Sequence, residues 1–89
     1  MVRNEHDQAL HLHSQRIVAA VIDASGATYA QVRGSGALIR YRGGVKPDSA
    51  FIVEVVHRFL LPALDEVALA AALGLRITRS DDLVLRLER

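Results

Sequence analysis

Three imidazoles near the N-terminus carry the most evident metal-binding chemistry in this 89-residue chain. His11 and His13 stand two apart, so on a strand their rings share one face, with His6, Glu5 and Asp7 close by. Imidazoles at that spacing, joined by a carboxylate, can ligate zinc, nickel or copper. An exposed polar segment that happens to hold histidines accounts for the same residues more simply. The sequence therefore predicts no metal and no cofactor, and leaves His6, His11 and His13 as the residues to test.

A second group carries positive charge. Residues 33–46, RGSGALIRYRGGVK, hold Arg33, Arg40, Arg42 and Lys46 with Tyr41 among them, the densest basic patch in the chain. Arginines on a ribbon can contact phosphates, and an aromatic ring can stack on a base. On one flat strand, however, Arg40 and Arg42 share a face while Tyr41 points to the other, so charge and ring do not converge. A solvated strand face is the simpler account. The glycines in this stretch resemble phosphate-cradling loops only superficially, because neither the P-loop spacing nor GxGxxG is present.

Catalysis finds little support. Ser14, Ser25, Ser35, Ser49 and Ser80 are scattered and lack the context of a nucleophile elbow. His57 follows Glu54 by three residues, a spacing that makes an ordinary side-chain pair on a helix surface. Asp65 with Glu66, and Asp81 with Asp82, are adjacent pairs suited to a helix start and a turn. The sequence predicts a protein that is not an enzyme and has no small-molecule substrate.

These residues must be positioned by a small number of elements. The longest apolar-periodic stretch is 48–74, with Phe51, Ile52, Val55, Val56, Phe59, Leu60, Ala63, Leu64 and Val67 at helical spacing. It reads as a central helix kinked at Pro62, which removes an amide donor and disfavours helical geometry at Leu61. Asp65 and Glu66 suit the first turn of the part beyond the proline, and Gly74 suits its end. Glu54, His57 and Arg58 then fall on the exposed side, while Phe51, Val55, Phe59 and Leu60 form a core or dimer face.

Ahead of it, residues 16–44 read as a β-meander: RIVAAVID over 16–23, the alternating TYAQVR over 28–33, and ALIRYR over 37–42, separated by glycine turns. A rival reading continues a helix from residue 4 to 24, because Ile17, Ala20, Val21 and Ala24 also fit helical spacing. Periodicity does not separate the two over so short an apolar run; the β-branched residues favour strand. At the far end, Leu75, Ile77, Leu83, Leu85 and Leu87 alternate around residues 79–82, which predicts a C-terminal hairpin. A helix-turn-helix over 65–88 is the competing arrangement. Ser80 stands where that motif wants a buried apolar residue, and Asp81 and Asp82 would face phosphate.

Length gives one domain, read as a polar segment 1–15 followed by a single α+β domain over 16–89. The hydrophobic fraction is 51%, high for a chain that must bury it in one small core, and this predicts self-association as a homodimer. The absence of cysteine excludes disulfides and thiolate chemistry. No apolar run reaches the roughly 20 residues of a membrane span, and the charged start lacks a signal peptide's apolar core, so a cytoplasmic location without membrane contact is expected. The net charge is only +1, yet ten of the eleven Lys and Arg residues are arginine. A GC-rich coding bias explains that; a need for bidentate anion contacts is the functional alternative.

The sequence therefore predicts an α+β fold, a small antiparallel meander packed on a long Pro-kinked helix with a C-terminal hairpin. Its function is expected to be that of a protein-interaction module of adaptor, inhibitor or regulator type. Partner contacts are expected at Arg33, Arg40, Tyr41, Arg42, Lys46, His57 and Arg58. The alternative is a nucleic-acid-binding regulator using residues 33–46 or 65–88.

Overall fold

The computed structural model describes residues 16–43 and 50–89. It is an α+β fold built on a four-stranded antiparallel sheet in the order β1-β2-β4-β3. In chain order come helix α1 (16–25 described), α2 (Tyr29–Gly34), β1 (Leu38–Gly43), β2 (Ala50–Val56), a short 3-10 turn (Arg58–Leu60), α3 (Glu66–Leu73), β3 (Arg76–Ser80) and β4 (Val84–Glu88).

The segment 16–25 is helical, so the strand reading of RIVAAVID gives way to its rival. Ile17, Ala20 and Val21 stack on one face at helical spacing and are buried, while Ala24 packs partly against the same core. The helix stops at Gly26, whose φ of 69° is open to glycine without cost. TYAQVR is also helical, and the reason is visible in two side chains. Thr28 is the N-cap: its Oγ1 accepts from Gln31 N (3.2 Å), and Gln31 Oε1 accepts from Thr28 N (2.8 Å). That reciprocal capping box satisfies two otherwise orphaned amides and outweighs the alternation of apolar residues.

The long kinked helix expected over 48–74 is absent from the described residues. Residues 50–56 form the central strand β2, paired antiparallel with β1 on one side and β4 on the other. The apolar pattern was broad because a central strand can be apolar on both faces. AFIVEVV is also rich in β-branched residues, which fit a pleated surface better than a helix. Phe51 and Val55 therefore belong to a strand, and Phe59 and Leu60 to the 3-10 turn after it. Pro62 lies in a turn, with Leu61 at φ −124° and ψ 67°, outside helical geometry as its neighbour demands. The helical part is only α3. Asp65 caps its start, accepting from Val67 N and Ala68 N at 3.1 Å each, and Gly74 closes it at φ 67°.

The C-terminal hairpin forms as the alternation implied, β3 and β4 joined through residues 81–83. Of the three strands expected between 16 and 44, only the third is present, as β1. Val53 and Val55 on β2 and Leu85 and Leu87 on β4 have no accessible surface and point to one side of the sheet. Against them pack Ile17 and Val21 of α1, Val32 of α2 and Leu69 of α3. Two polar contacts hold the helices together over that core. Asp65 N donates to Ala24 O (2.9 Å), and Arg16 Nη2 donates to Ala72 O (3.3 Å). Among the described residues, helices cover one face of the sheet and leave the other open. No helix among them is long and apolar enough to cross a membrane.

Candidate functional site

Strand alternation decides what the open face carries. With Ile39 and Tyr41 of β1 packed toward the core, Leu38, Arg40 and Arg42 turn the other way. Directly opposite Arg40 in register stands Glu54 of β2, and opposite Glu54 on its far side stands Arg86 of β4. Next to that row runs a second, Arg42–Ile52–Glu88–Arg76. Arg79 sits opposite Arg86 beyond an irregularity in β3. The row at the other end is apolar: Leu38, Val56 and Val84.

Arg40, Arg42, Arg76, Arg79 and Arg86 thus share this face, with Glu54 and Glu88 beside them on the strands and Asp81 paired to Arg79 at the turn. A chain with a net charge of +1 has sorted a strong cationic excess onto one side of its sheet. The internal pairs are few and solvated. Arg40 Nη2 lies 3.2 Å from Glu54 Oε1. Arg86 Nε lies 3.3 Å from Glu88 Oε2 but off the N–H axis, which leaves that buried nitrogen without a hydrogen bond. Thr78 Oγ1 donates to the same Glu88 oxygen at 2.7 Å, which fixes the carboxylate beside Arg86. Arg42 makes no ion pair among the described residues, its strand neighbour being Ile52.

Arg79 and Arg86 are like charges directly opposite, an unfavourable cross-strand pair. Asp81 relieves it. Its carboxylate accepts from Arg79 Nε (2.7 Å), Leu83 N (2.9 Å) and Val84 N (2.8 Å), closing the β3–β4 turn. Arg79 first, and then the Val84 amide, hold the Asp81 carboxyl below the usual carboxylate range.

A depression of about 390 Å³ opens on this face, lined by Arg40, Tyr41, Arg42, Ile52, Glu54 and Arg86. Three arginines and one carboxylate, already engaged by Arg40, give its lining the chemistry to attract an anionic group. A second depression, about 210 Å³, lies between the helices and β1 and is lined by Val18, Tyr29, Val32, Arg33, Ala37 and Ile39.

The structure brings together Arg40 and Arg42 from the expected contact residues and adds Arg86, Arg76 and Arg79, which the sequence reading did not single out. Alternation of Leu83, Leu85 and Leu87 already put Arg86 on the opposite face; what the sequence lacked was the pairing of β4 with β2. Arg33 is elsewhere, in the last turn of α2. Lys46 and the candidate ligands His6, His11 and His13 lie outside the described residues.

His57 and Arg58 separate from the arginine face. No helix carries Glu54 toward His57; Glu54 turns to Arg40 instead. His57 follows β2 at φ 60°, its ring 6.0 Å from that of Phe59 in an edge contact. Arg58, expected on an exposed rim, is drawn inward. Its Nη2 donates to Leu64 O (3.3 Å) and pairs with Glu66 Oε2 (3.2 Å), while Nε is buried without a partner. Ser80 Oγ donates to the same Glu66 oxygen at 2.6 Å. Arg58, Glu66 and Ser80 therefore brace the 3-10 turn, α3 and β3 against one another.

The other described serine hydroxyls serve local turns, Ser25 on Ile22 O and Ser35 on Val32 O. The helix-turn-helix arrangement over 65–88 has no recognition helix, because the chain after Gly74 runs as β3 and β4. Among the described residues no group of acidic or histidine side chains could hold a metal ion. No family model, curated protein or solved structure matches the chain.

Proposed function

We propose that this chain is a non-catalytic binding module, of adaptor, inhibitor or regulator type, whose recognition surface is the open arginine-lined face of its sheet. The partner is a protein that presents acidic groups. The observation that carries this reading is the row Arg40–Glu54–Arg86 flanked by Arg42, with more guanidinium groups than carboxylates on one face. Arginine forks recognise carboxylates in a planar, bidentate way, which gives specificity as well as attraction.

Self-association belongs to the same proposal and has a different surface. Leu38, Phe59, Leu60 and Leu83 are exposed, and all lie near one end of the sheet. Leu38 is opposite Val56 at the end of β2, Leu60 approaches Gly36, and Leu83 O accepts from the His57 and Arg58 amides.

Nucleic acid is the second reading, favoured by the same arginines. Against it, Tyr41 borders the depression but alternates to the core side of β1, so its ring and the Arg40 and Arg42 side chains lie on opposite strand faces. Stacking along a single strand needs rings that converge with the charge.

The test is binding of labelled polyglutamate and of a labelled oligonucleotide to the wild type and to the double variant Arg40→Ala/Arg42→Ala. The proposal expects polyglutamate to bind better and the double variant to lose that binding with its thermal midpoint nearly unchanged. Unchanged binding by the variant contradicts the assignment of the face.

A further inference from the structure

The same face has an edge. β1 is one of the sheet's two outermost strands, β3 being the other, and alternate residues of an edge strand turn their amide and carbonyl groups away from the sheet, ready to pair with another chain. No described strand pairs with that outer side of β1.

A second copy is a poor occupant. In an antiparallel β1–β1 pairing that keeps both open faces on the same side, residues 38, 40 and 42 can stand opposite only one another. The two registers that use most of the strand place Arg40 against Arg40, or Arg40 against Arg42. Both oppose like charges on a face already short of carboxylates. Arginines at alternate positions act here as a device against self-pairing, as charged residues on edge strands commonly do.

The pattern that repels a second copy defines what it accepts. Resting on the reading of the open face given above, we infer that β1 receives an extended segment of a partner protein by strand addition. The segment carries acidic residues at alternate positions opposite Arg40 and Arg42. The residue between them is apolar and falls on the helix-covered side opposite Tyr41, with a further apolar residue opposite Ile39. Arg42, which has no ion pair among the described residues, takes the first of these carboxylates. Arg40 is held by Glu54 and takes the second by sharing its fork. Main-chain hydrogen bonds supply the attachment and the alternating charges set the register. Apolar self-association at Leu38, Phe59, Leu60 and Leu83 stays at the end of the sheet.

The experiment uses the full chain and three labelled probes: the capped peptide Glu-Val-Glu-Val-Glu, its permutation Glu-Glu-Glu-Val-Val, and the first peptide with alternate backbone amides methylated. An oligonucleotide serves as the fourth arm. Strand addition predicts that the alternating peptide binds at least about tenfold tighter than either altered peptide. It also predicts that Arg42→Glu reverses the preference toward a Lys-Val-Lys-Val-Lys peptide, with the circular dichroism spectrum unchanged. Equal binding of the permuted or methylated peptide, lost in Arg42→Glu, overturns strand addition while leaving the open face as an anion-binding surface. Binding of the oligonucleotide alone overturns both the strand addition and the protein partner, and so does binding of no probe at all.

Discussion

Arg40 Nη2 lies 3.2 Å from Glu54 Oε1 across the β1–β2 ladder, although Glu54 stands in register with Arg86 as well. One carboxylate is thus set between two guanidinium groups and bonded to one of them. The pair is solvated, so its contribution to folding is small, at most about 1 kcal/mol. Its larger effect is on the electrostatic potential of the face. Glu54→Gln should leave the thermal midpoint nearly unchanged while tightening binding of polyglutamate, and the gain should shrink as salt rises. Weaker binding in that variant would show that Glu54 is itself a contact for the partner.

Arg58 is expected to matter for stability and not for binding. Arg58→Met keeps much of the stem but removes the bonds to Leu64 O and Glu66, leaving Glu66 with Ser80 alone. A loss of about 1–3 kcal/mol in denaturant unfolding is expected, the usual cost of leaving a buried hydrogen-bonding group without its partner. Binding of polyglutamate should be unaffected once the comparison is made on folded protein.

His57 is the one described non-glycine residue at positive φ. That conformation costs an L-residue roughly 1–2 kcal/mol and is hardest on β-branched side chains. His57→Val should therefore destabilise by about 1–2 kcal/mol, while His57→Gly should be neutral or stabilising by up to about 1 kcal/mol. Equal losses in both variants would place the stabilising role in the ring and its contact with Phe59.

Asp81 gives the hairpin an acid sensitivity. Its carboxyl titrates below the usual range because Arg79 and the Val84 and Leu83 amides favour the charged form. A group with a depressed folded pKa contributes stability above its unfolded pKa and loses it as pH falls through the folded value. The protection of the Leu83 and Val84 amides relative to the intrinsic exchange rate at each pH should accordingly fall on acidification below the ordinary carboxylate range. Asp81→Asn should show lower protection already at neutral pH and little further loss in acid.

Much of the local chemistry is legible in the sequence: Asp65 at a helix start, Gly74 at its end, the alternating leucines of the hairpin, and Arg40 sharing a face with Arg42. What was hidden has physical causes. Phe51 to Val56 looked helical because β2 is central and apolar on both faces, so a period of two was masked. TYAQVR alternates like a strand, but Thr28 and Gln31 are spaced as a capping box, and that local pairing decides for helix. Arg86 could be assigned to a face from its neighbours, but not to the same row as Arg40, because strand order is set by tertiary packing across Val53, Val55, Leu85 and Leu87.

Leu69 and Phe59 test the fold directly. Leu69 is fully buried, and Leu69→Ala should cost about 2–5 kcal/mol. Phe59, which a central helix would have buried, is 55% exposed, and Phe59→Ala should cost no more than about 1 kcal/mol. Similar losses at both sites would contradict the placement of the 3-10 turn.

The most direct measurement is a nitrogen–proton correlation spectrum of the labelled protein titrated with polyglutamate. Shifts are expected to concentrate at Arg40, Arg42 and Arg86 and along β1, with α2 and its Arg33 silent. Shifts centred on Tyr29 and Arg33, or spread evenly over the surface, would contradict the open face of the sheet as the binding surface.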